Sequence, residues 1–155
     1  MRHSLLLLLL VTPPAWADGW ILEDSPDLMI AQDGGNTIKD ESWTKDVTPR
    51  MQFTCAAGGE IIASIDWQRF ISSFNTEVGF KVDGGKFTWL KWKVDSSEKV
   101  TISPSASDTE KLLDTLGDGS ELLVDVTPYS ESPVTVTFVL SGLAGAIETL
   151  RSACG

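Results

Sequence analysis

From about residue 50 onward the chain alternates apolar and polar positions in short runs, and turn-forming residues separate the runs. Met51, Phe53 and Cys55 alternate with Gln52 and Thr54, placing two large apolar groups and a thiol on one face of a strand. Ala56-Ala57-Gly58-Gly59 reads as a turn, and Glu60 to Asp66 as the hairpin partner. Val78, Phe80 and Val82 alternate with Gly79 and Lys81 before Asp83-Gly84-Gly85 turns the chain back. The returning strand, Phe87 to Val94, has two faces: Leu90, Trp92 and Val94 on one, and Phe87, Trp89, Lys91 and Lys93 on the other.

The remaining elements follow the same logic. Upstream, Trp20 to Glu23 and Leu28 to Gln32 read as short strands, with Asp33-Gly34-Gly35-Asn36 as a turn. Thr37 to Pro49 is polar apart from Trp43 and a few aliphatics, and reads as a loop. Val100 to Ser103 is a further strand. Ser107-Asp108-Thr109-Glu110 has capping-box spacing, with Ser107 expected at the N-cap of a helix carrying Leu112, Leu113 and Leu116 and stopping at Gly117. Leu122, Val124 and Val126 form one strand face, and Val134, Val136, Phe138 and Leu140 the next. Leu143, Ile147, Leu150 and Cys154 then recur at helical spacing. The expected class is mainly β (α+β): an antiparallel β-sandwich or open barrel with two short helices.

The N-terminus sets the expected compartment. Arg2 and His3 precede an apolar run from Leu5 to Val11, and Ala15-Trp16-Ala17 supplies a small-x-small cleavage site. That run is well short of the ~20 residues a membrane-spanning helix needs, so residues 1–17 read as a cleaved secretory signal peptide rather than an anchor. With no cysteine just after the site, a lipoprotein is not expected. Residues 18–155 then form one domain in the periplasm or outside the cell, with no later span expected. The full chain has 12 basic and 22 acidic residues, a net charge of −10. Such an acidic chain does not bind nucleic acid, which is held by displacing counterions with Lys and Arg.

Cys55 and Cys154 are the two cysteines of the chain. An even count in an exported protein points to a disulfide, and both thiols sit on apolar faces of their elements. A redox-active thiol lacks a CxxC, and a metal pair lacks a histidine, because His3 leaves with the signal peptide. The same absence removes the usual general base for a serine or cysteine nucleophile. Lys81, Lys91 and Lys93 form no SxxK pattern with a serine, and the acids scatter through turns and strand faces. Asp114, Asp118 and Glu121 around Gly117 and Gly119 lack the ligand order of a calcium loop and read as turn chemistry. No catalytic residue, metal or cofactor is therefore expected.

Among the aromatics, Trp89 beside Phe87, Lys91 and Lys93 is the candidate binding surface: an exposed tryptophan among lysines suits a protein partner or a sugar ring. The simpler expectation is that a second layer covers it, since aromatic area is chiefly core material. Trp43 and Trp67 pose the same question. Tyr129, between Pro128 and Ser130, is expected to hydrogen-bond neighbouring backbone at a strand corner.

The segment Val126-Thr127-Pro128-Tyr129-Ser130-Glu131-Ser132-Pro133, continuing through Phe138, Ser141-Gly142-Leu143 and Arg151 to Cys154, resembles the C-terminal signature of the type VI secretion-associated VasI/TagO family. Phe53-Thr54-Cys55, Phe80-Lys81-Val82-Asp83, Trp92, Pro104 and Lys111-Leu112-Leu113 also line up with its pattern, from about Arg50 to Cys154. Val139 departs from it, standing where the family often has an acidic residue. The resemblance gives Pro128, Tyr129, Phe138 and Gly142 structural roles. It implies a non-catalytic, exported periplasmic accessory protein that binds a protein partner in the envelope or in a type VI secretion apparatus. The alternatives are a secreted inhibitor or binding module directed at a cell-wall or peptide hydrolase, and a small hydrolase using two carboxylates.

Overall fold

The computed structural model describes residues 19–24 and 26–154, so the expected signal peptide and its cleavage site lie outside the described residues. The strands are β1 (Ile21–Asp24), β2 (Leu28–Asp33), β3 (Ile38–Lys39), β4 (Asp46–Val47), β5 (Arg50–Cys55), β6 (Ile61–Asp66), β7 (Thr76–Val82), β8 (Phe87–Val94), β9 (Val100–Ile102), β10 (Glu121–Val126) and β11 (Val134–Val139). Two α-helices, α1 (Ala106–Leu116) and α2 (Leu143–Cys154), and a 3-10 turn at Ala57–Gly59 complete the described elements. Nine strands join one antiparallel sheet in the order β1-β2-β5-β6-β9-β8-β7-β10-β11, and β3 and β4 pair separately. The mainly-β, antiparallel class with two helices is the one the alternation predicts.

The sheet is pinched at β9. That strand pairs with β6 over Ser64 to Asp66 and with β8 only at Lys93 and Val94. On either side lies a four-stranded half, β1-β2-β5-β6 and β8-β7-β10-β11. Their inward residues merge into one core: Ile30, Met51, Phe53, Ala63 and Ile65 from one half, and Val78, Phe80, Trp92, Val124, Val136 and Phe138 from the other. Helix α2 packs nearest β2 and β5, and α1 nearest β6, contributing Leu112, Leu116, Leu143 and Leu150 to the same core. The result is a sandwich-like open sheet and not a closed barrel, because β1 and β11 share no ladder among the described residues.

Side chains bridge the gap instead. The Gln32 amide accepts from the Val139 backbone N–H at 2.7 Å and donates to the Val139 carbonyl at 3.0 Å. Asn36 does likewise one step along, accepting from the Thr137 N–H at 2.9 Å and donating to the Thr135 carbonyl at 2.9 Å. The Gly35 N–H and the Trp20 indole N–H add bonds to the carbonyls of Thr137 and Val139. These groups satisfy an edge that would otherwise be open to other strands. Close approach requires the glycines here: a Cβ on Gly34 would lie 2.4 Å from the Val136 side chain, and one on Gly35 2.8 Å from the Thr137 hydroxyl.

Cys55 and Cys154 are joined, with Cα atoms 5.6 Å apart across a sequence separation of 99. The bond ties the last turn of α2 to the end of β5. The Pro128–Pro133 motif has a structural role too. Pro128 is buried. Glu131 pairs with the fully buried Arg69, which also donates to the carbonyls of Lys39 and Phe70. The motif thereby anchors the 67–75 loop and β3. Phe138 is in the core, and Gly142, with φ +83°, makes the turn into α2.

Three expectations need correction. Thr37 to Pro49 is not all loop: β3 and β4 form a two-residue hairpin, its turn held by the Asp40 carboxylate accepting from the Thr44 and Lys45 N–H groups. The α1 N-cap is Ser105, not Ser107: its hydroxyl accepts from the Asp108 N–H at 3.1 Å and donates to the Asp108 carboxylate. Both serines have an acid three residues on, and the local spacing does not choose between them. Tyr129 is 65% exposed, and its backbone N–H, rather than its hydroxyl, makes the tie, to the Ile71 carbonyl at 2.8 Å.

Two outcomes follow from these contacts. Reducing the disulfide should lower the unfolding free energy by about 4–5 kcal/mol, the loop entropy that a bridge of this span removes; urea unfolding with and without reductant measures it, and superimposable curves would refute the staple. Replacing Gln32 with Met should cost about 1–3 kcal/mol by leaving the Val139 backbone unpaired. Hydrogen exchange locates the effect: the Val139 amide should lose protection while the β5 and β6 amides keep theirs.

Candidate binding surface on the outer sheet face

Strand β8 decides where this surface lies, because its period of two sends Trp92 inward and Trp89 outward. Trp92 is buried against Phe80, with ring centroids 5.2 Å apart. Trp89 is 48% exposed, Lys91 and Lys93 are exposed, and Phe87 is half-buried. The expected covering layer is not there, since both helices pack nearest strands of the other half-sheet. Phe87, Trp89, Lys91 and Lys93 share one solvent-facing surface.

The register explains how the aromatics are held. Trp89 stands opposite Gly79 of β7, with Phe87 opposite Lys81 and Lys91 opposite Glu77. Phe87 and Trp89 stack with centroids 5.3 Å apart and planes 29° from parallel. Both rings rest on Gly79: a Cβ there would lie 2.8 Å from the Trp89 ring and 3.0 Å from Phe87. The glycine gives up its own side chain so that two large rings can settle on the sheet. The Lys81 ammonium lies 5.5 Å from the Phe87 centroid, within the range of a cation–π contact.

Phe87 backs Trp89 on one side, leaving the other open. There a cleft of about 450 Å³ is lined by Trp89, Asn75, Thr76, Glu77 and Thr127. Its chain neighbours add exposed aromatic area. Phe74, 69% exposed, precedes Asn75, and Tyr129 lies two residues beyond Thr127. Phe74 is a residue that the alternation did not single out; the only local hint is a phenylalanine inside the polar run Ser72-Ser73-Phe74-Asn75. Of the other aromatics, Trp67 is buried and donates to the Thr101 hydroxyl, whereas Trp43 is exposed on the β3–β4 turn and does not line this cleft.

One more charged group lies in the same cross-strand row. Asp125 of β10 stands opposite Gly79 on its other side and accepts from the Thr135 hydroxyl at 3.3 Å. Burial pushes its carboxyl above the ordinary 3.8, with hydrogen bonds from Thr135 and Val126 partly opposing the shift. Elsewhere, Asp83 accepts from the N–H groups of Ser120 and Glu121, so the acid-rich 118–121 segment is a capped turn. Among the described residues no group of three or more His, Cys, Asp or Glu is placed to hold a metal ion. A second cleft, of about 490 Å³, opens at the seam between Ile21 and Val139, but its Gln32 amide is already committed to the β11 backbone.

No family model matches the sequence, and no curated protein matches it. In structure the chain is similar to invasion associated protein B from Bartonella henselae. The two are 15% identical, with a TM-score of 0.52 over 86% of this chain and 91% of that chain. The likeness is one of fold.

Asp125 offers a test of how dry this face is. The folded chain protonates this carboxyl more readily than the unfolded chain does. Its charge therefore costs stability above the folded pKa and costs nothing below 3.8. Asp125→Asn should raise the thermal midpoint at neutral pH, and the gain should vanish as pH falls below the carboxylate range. An equal gain at every pH would mean that the carboxylate's desolvation is not its source.

Proposed function

We propose that this chain is an exported, non-catalytic accessory protein, resembling VasI/TagO, that grips one component of the cell envelope or of a type VI secretion apparatus. The observation that carries the reading is the exposed Phe87–Trp89 stack, seated on Gly79 and flanked by lysines. A large aromatic at the centre of a rigid patch is the residue type that dominates binding energy at interfaces. The Cys55–Cys154 bond fits an oxidising compartment, which the expected signal peptide also supports. No helix among the described residues is long and apolar enough to cross a membrane.

The face differs in charge from the chain that carries it. Against the overall net charge of −10, the β7–β8 hairpin sets Lys81, Lys86, Lys91 and Lys93 against Glu77 and Asp83, with Asp125 in the neighbouring strand row. An inhibitor clamped on a basic hydrolase draws no support from this surface, whose lysines repeat the sign of such an enzyme. With Glu77 in the cleft and Lys91 opposite it, the favoured partner carries little net charge where it meets Trp89.

Trp89→Ala should weaken capture of the envelope partner by about 2 kcal/mol or more, the size typical of a central aromatic. The same change should move the unfolding free energy far less than a core Trp→Ala. Cross-linked pull-down from envelope extracts, paired with urea unfolding, reads both numbers. Undiminished capture by a folded variant would move the binding surface elsewhere.

A further inference from the structure

The cleft beside Trp89 has the chemistry of a saccharide subsite. An aliphatic or aromatic peptide anchor needs an apolar pocket, yet only one wall here is apolar. The rest is polar: Asn75, Glu77 and Thr127 bring an amide, a carboxylate and a hydroxyl, while Thr76, which stands opposite the inward Trp92, borders the cleft from the strand itself. A pyranose ring matches that division, having a C–H face that lies against an indole and a rim of hydroxyls that need donors and acceptors. Tryptophan is suited to such a site because its ring is apolar and rigid while its surroundings stay wet. The polar groups are also unengaged. Among the described residues, the side chains of Asn75, Thr76, Glu77, Lys91 and Thr127 take no part in any of the side-chain hydrogen bonds or ion pairs that tie other loops together, such as those of Asp40, Asn36 and Arg69.

The architecture holds the indole in one pose before any ligand arrives. Phe87 backs it at 5.3 Å and Gly79 supports its rim, so stacking a sugar on the free face costs little side-chain entropy. Lys91, one cross-strand step from Glu77, adds a cation at the margin of the cleft. We infer that the Trp89 cleft binds a sugar ring of a glycan chain, stacked on the open face of Trp89 and hydrogen-bonded by Glu77, Asn75 and Thr127. This rests on the reading of the β7–β8 face as the binding surface and names the class of envelope component that it takes.

The test uses the disulfide-bonded chain and two soluble probes of equal length, a β-1,4-linked N-acetylglucosamine oligomer and an oligogalacturonate, titrated by calorimetry. Saturable binding of at least one probe is expected, weakened by about tenfold or more in Trp89→Ala. Trp89→Phe, which keeps a stacking face and guards against a folding defect, should retain most of the affinity, and Trp43→Ala all of it. A preference for the uronate that Lys91→Ala abolishes assigns an acidic sugar; a preference for the N-acetylglucosamine oligomer assigns a neutral one. Binding unchanged by Trp89→Ala overturns the subsite. Failure of both probes to bind, while Trp89→Ala still loses the envelope partner, overturns the glycan assignment and leaves the binding surface standing as a protein contact. Loss of neither probe nor partner on Trp89→Ala overturns both.

Discussion

Two carboxamides stand in for a missing strand, and the rest of the structure depends on that substitution. A nine-stranded antiparallel sheet pinched at β9 brings its two halves face to face, but the ends still present backbone groups without partners. Gln32 and Asn36 each offer one donor and one acceptor to the β11 backbone, the pattern a neighbouring strand would offer. Both amides come from β2 and the turn after it, so the bonds bind the first half-sheet directly to the last strand of the second. The glycines at 34 and 35 belong to the same device, since any side chain there would hold the turn off β11.

The disulfide completes this closure from the other side. Helix α2 packs over β2 and β5, and its last turn is tied to the end of β5 by Cys154. The buried Arg69–Glu131 pair then draws the 67–75 loop and the Pro128–Pro133 segment together. Removing one partner of such a pair leaves an uncompensated charge, which makes it a strong constraint on geometry whatever its net contribution to stability. These devices leave the outer surface of β7 and β8 free of structural duty.

How much of this could be read in the chain depended on range. Alternation places Leu122, Val124 and Val126 inside, and the spacing of Leu143, Ile147, Leu150 and Cys154 gives the stripe of α2, because both patterns are local. The Cys55–Cys154 pairing followed from two such local faces. The β3–β4 hairpin escaped because two-residue strands carry no period. The N-cap is ambiguous in the sequence because Ser105 and Ser107 both precede an acid at the same spacing. Trp89 was harder still. A period of two shows that Trp89 and Trp92 face opposite ways, but which face is covered depends on where helices from elsewhere in the chain settle. The amide bridge had no local signal at all, since Gln32 and Val139 are 107 positions apart.

That division between local and distant constraint bears on function. Every exposed side chain on β8 could have been polar at no cost to the core, because the core is served by Leu90, Trp92 and Val94 on the opposite face. Instead the outer face carries a stacked aromatic pair, and Gly79 pays for it with the weakness of a glycine in mid-strand. Stability alone does not account for that exchange: an aliphatic or threonine pair across β7 and β8 would pack as well and expose less apolar area. The arrangement makes sense if the free face of Trp89 is there to be covered by something other than this chain. A rigid indole with an amide, a hydroxyl and a carboxylate on one side, and lysines facing acids around it, is the kind of surface the proposed binding role requires.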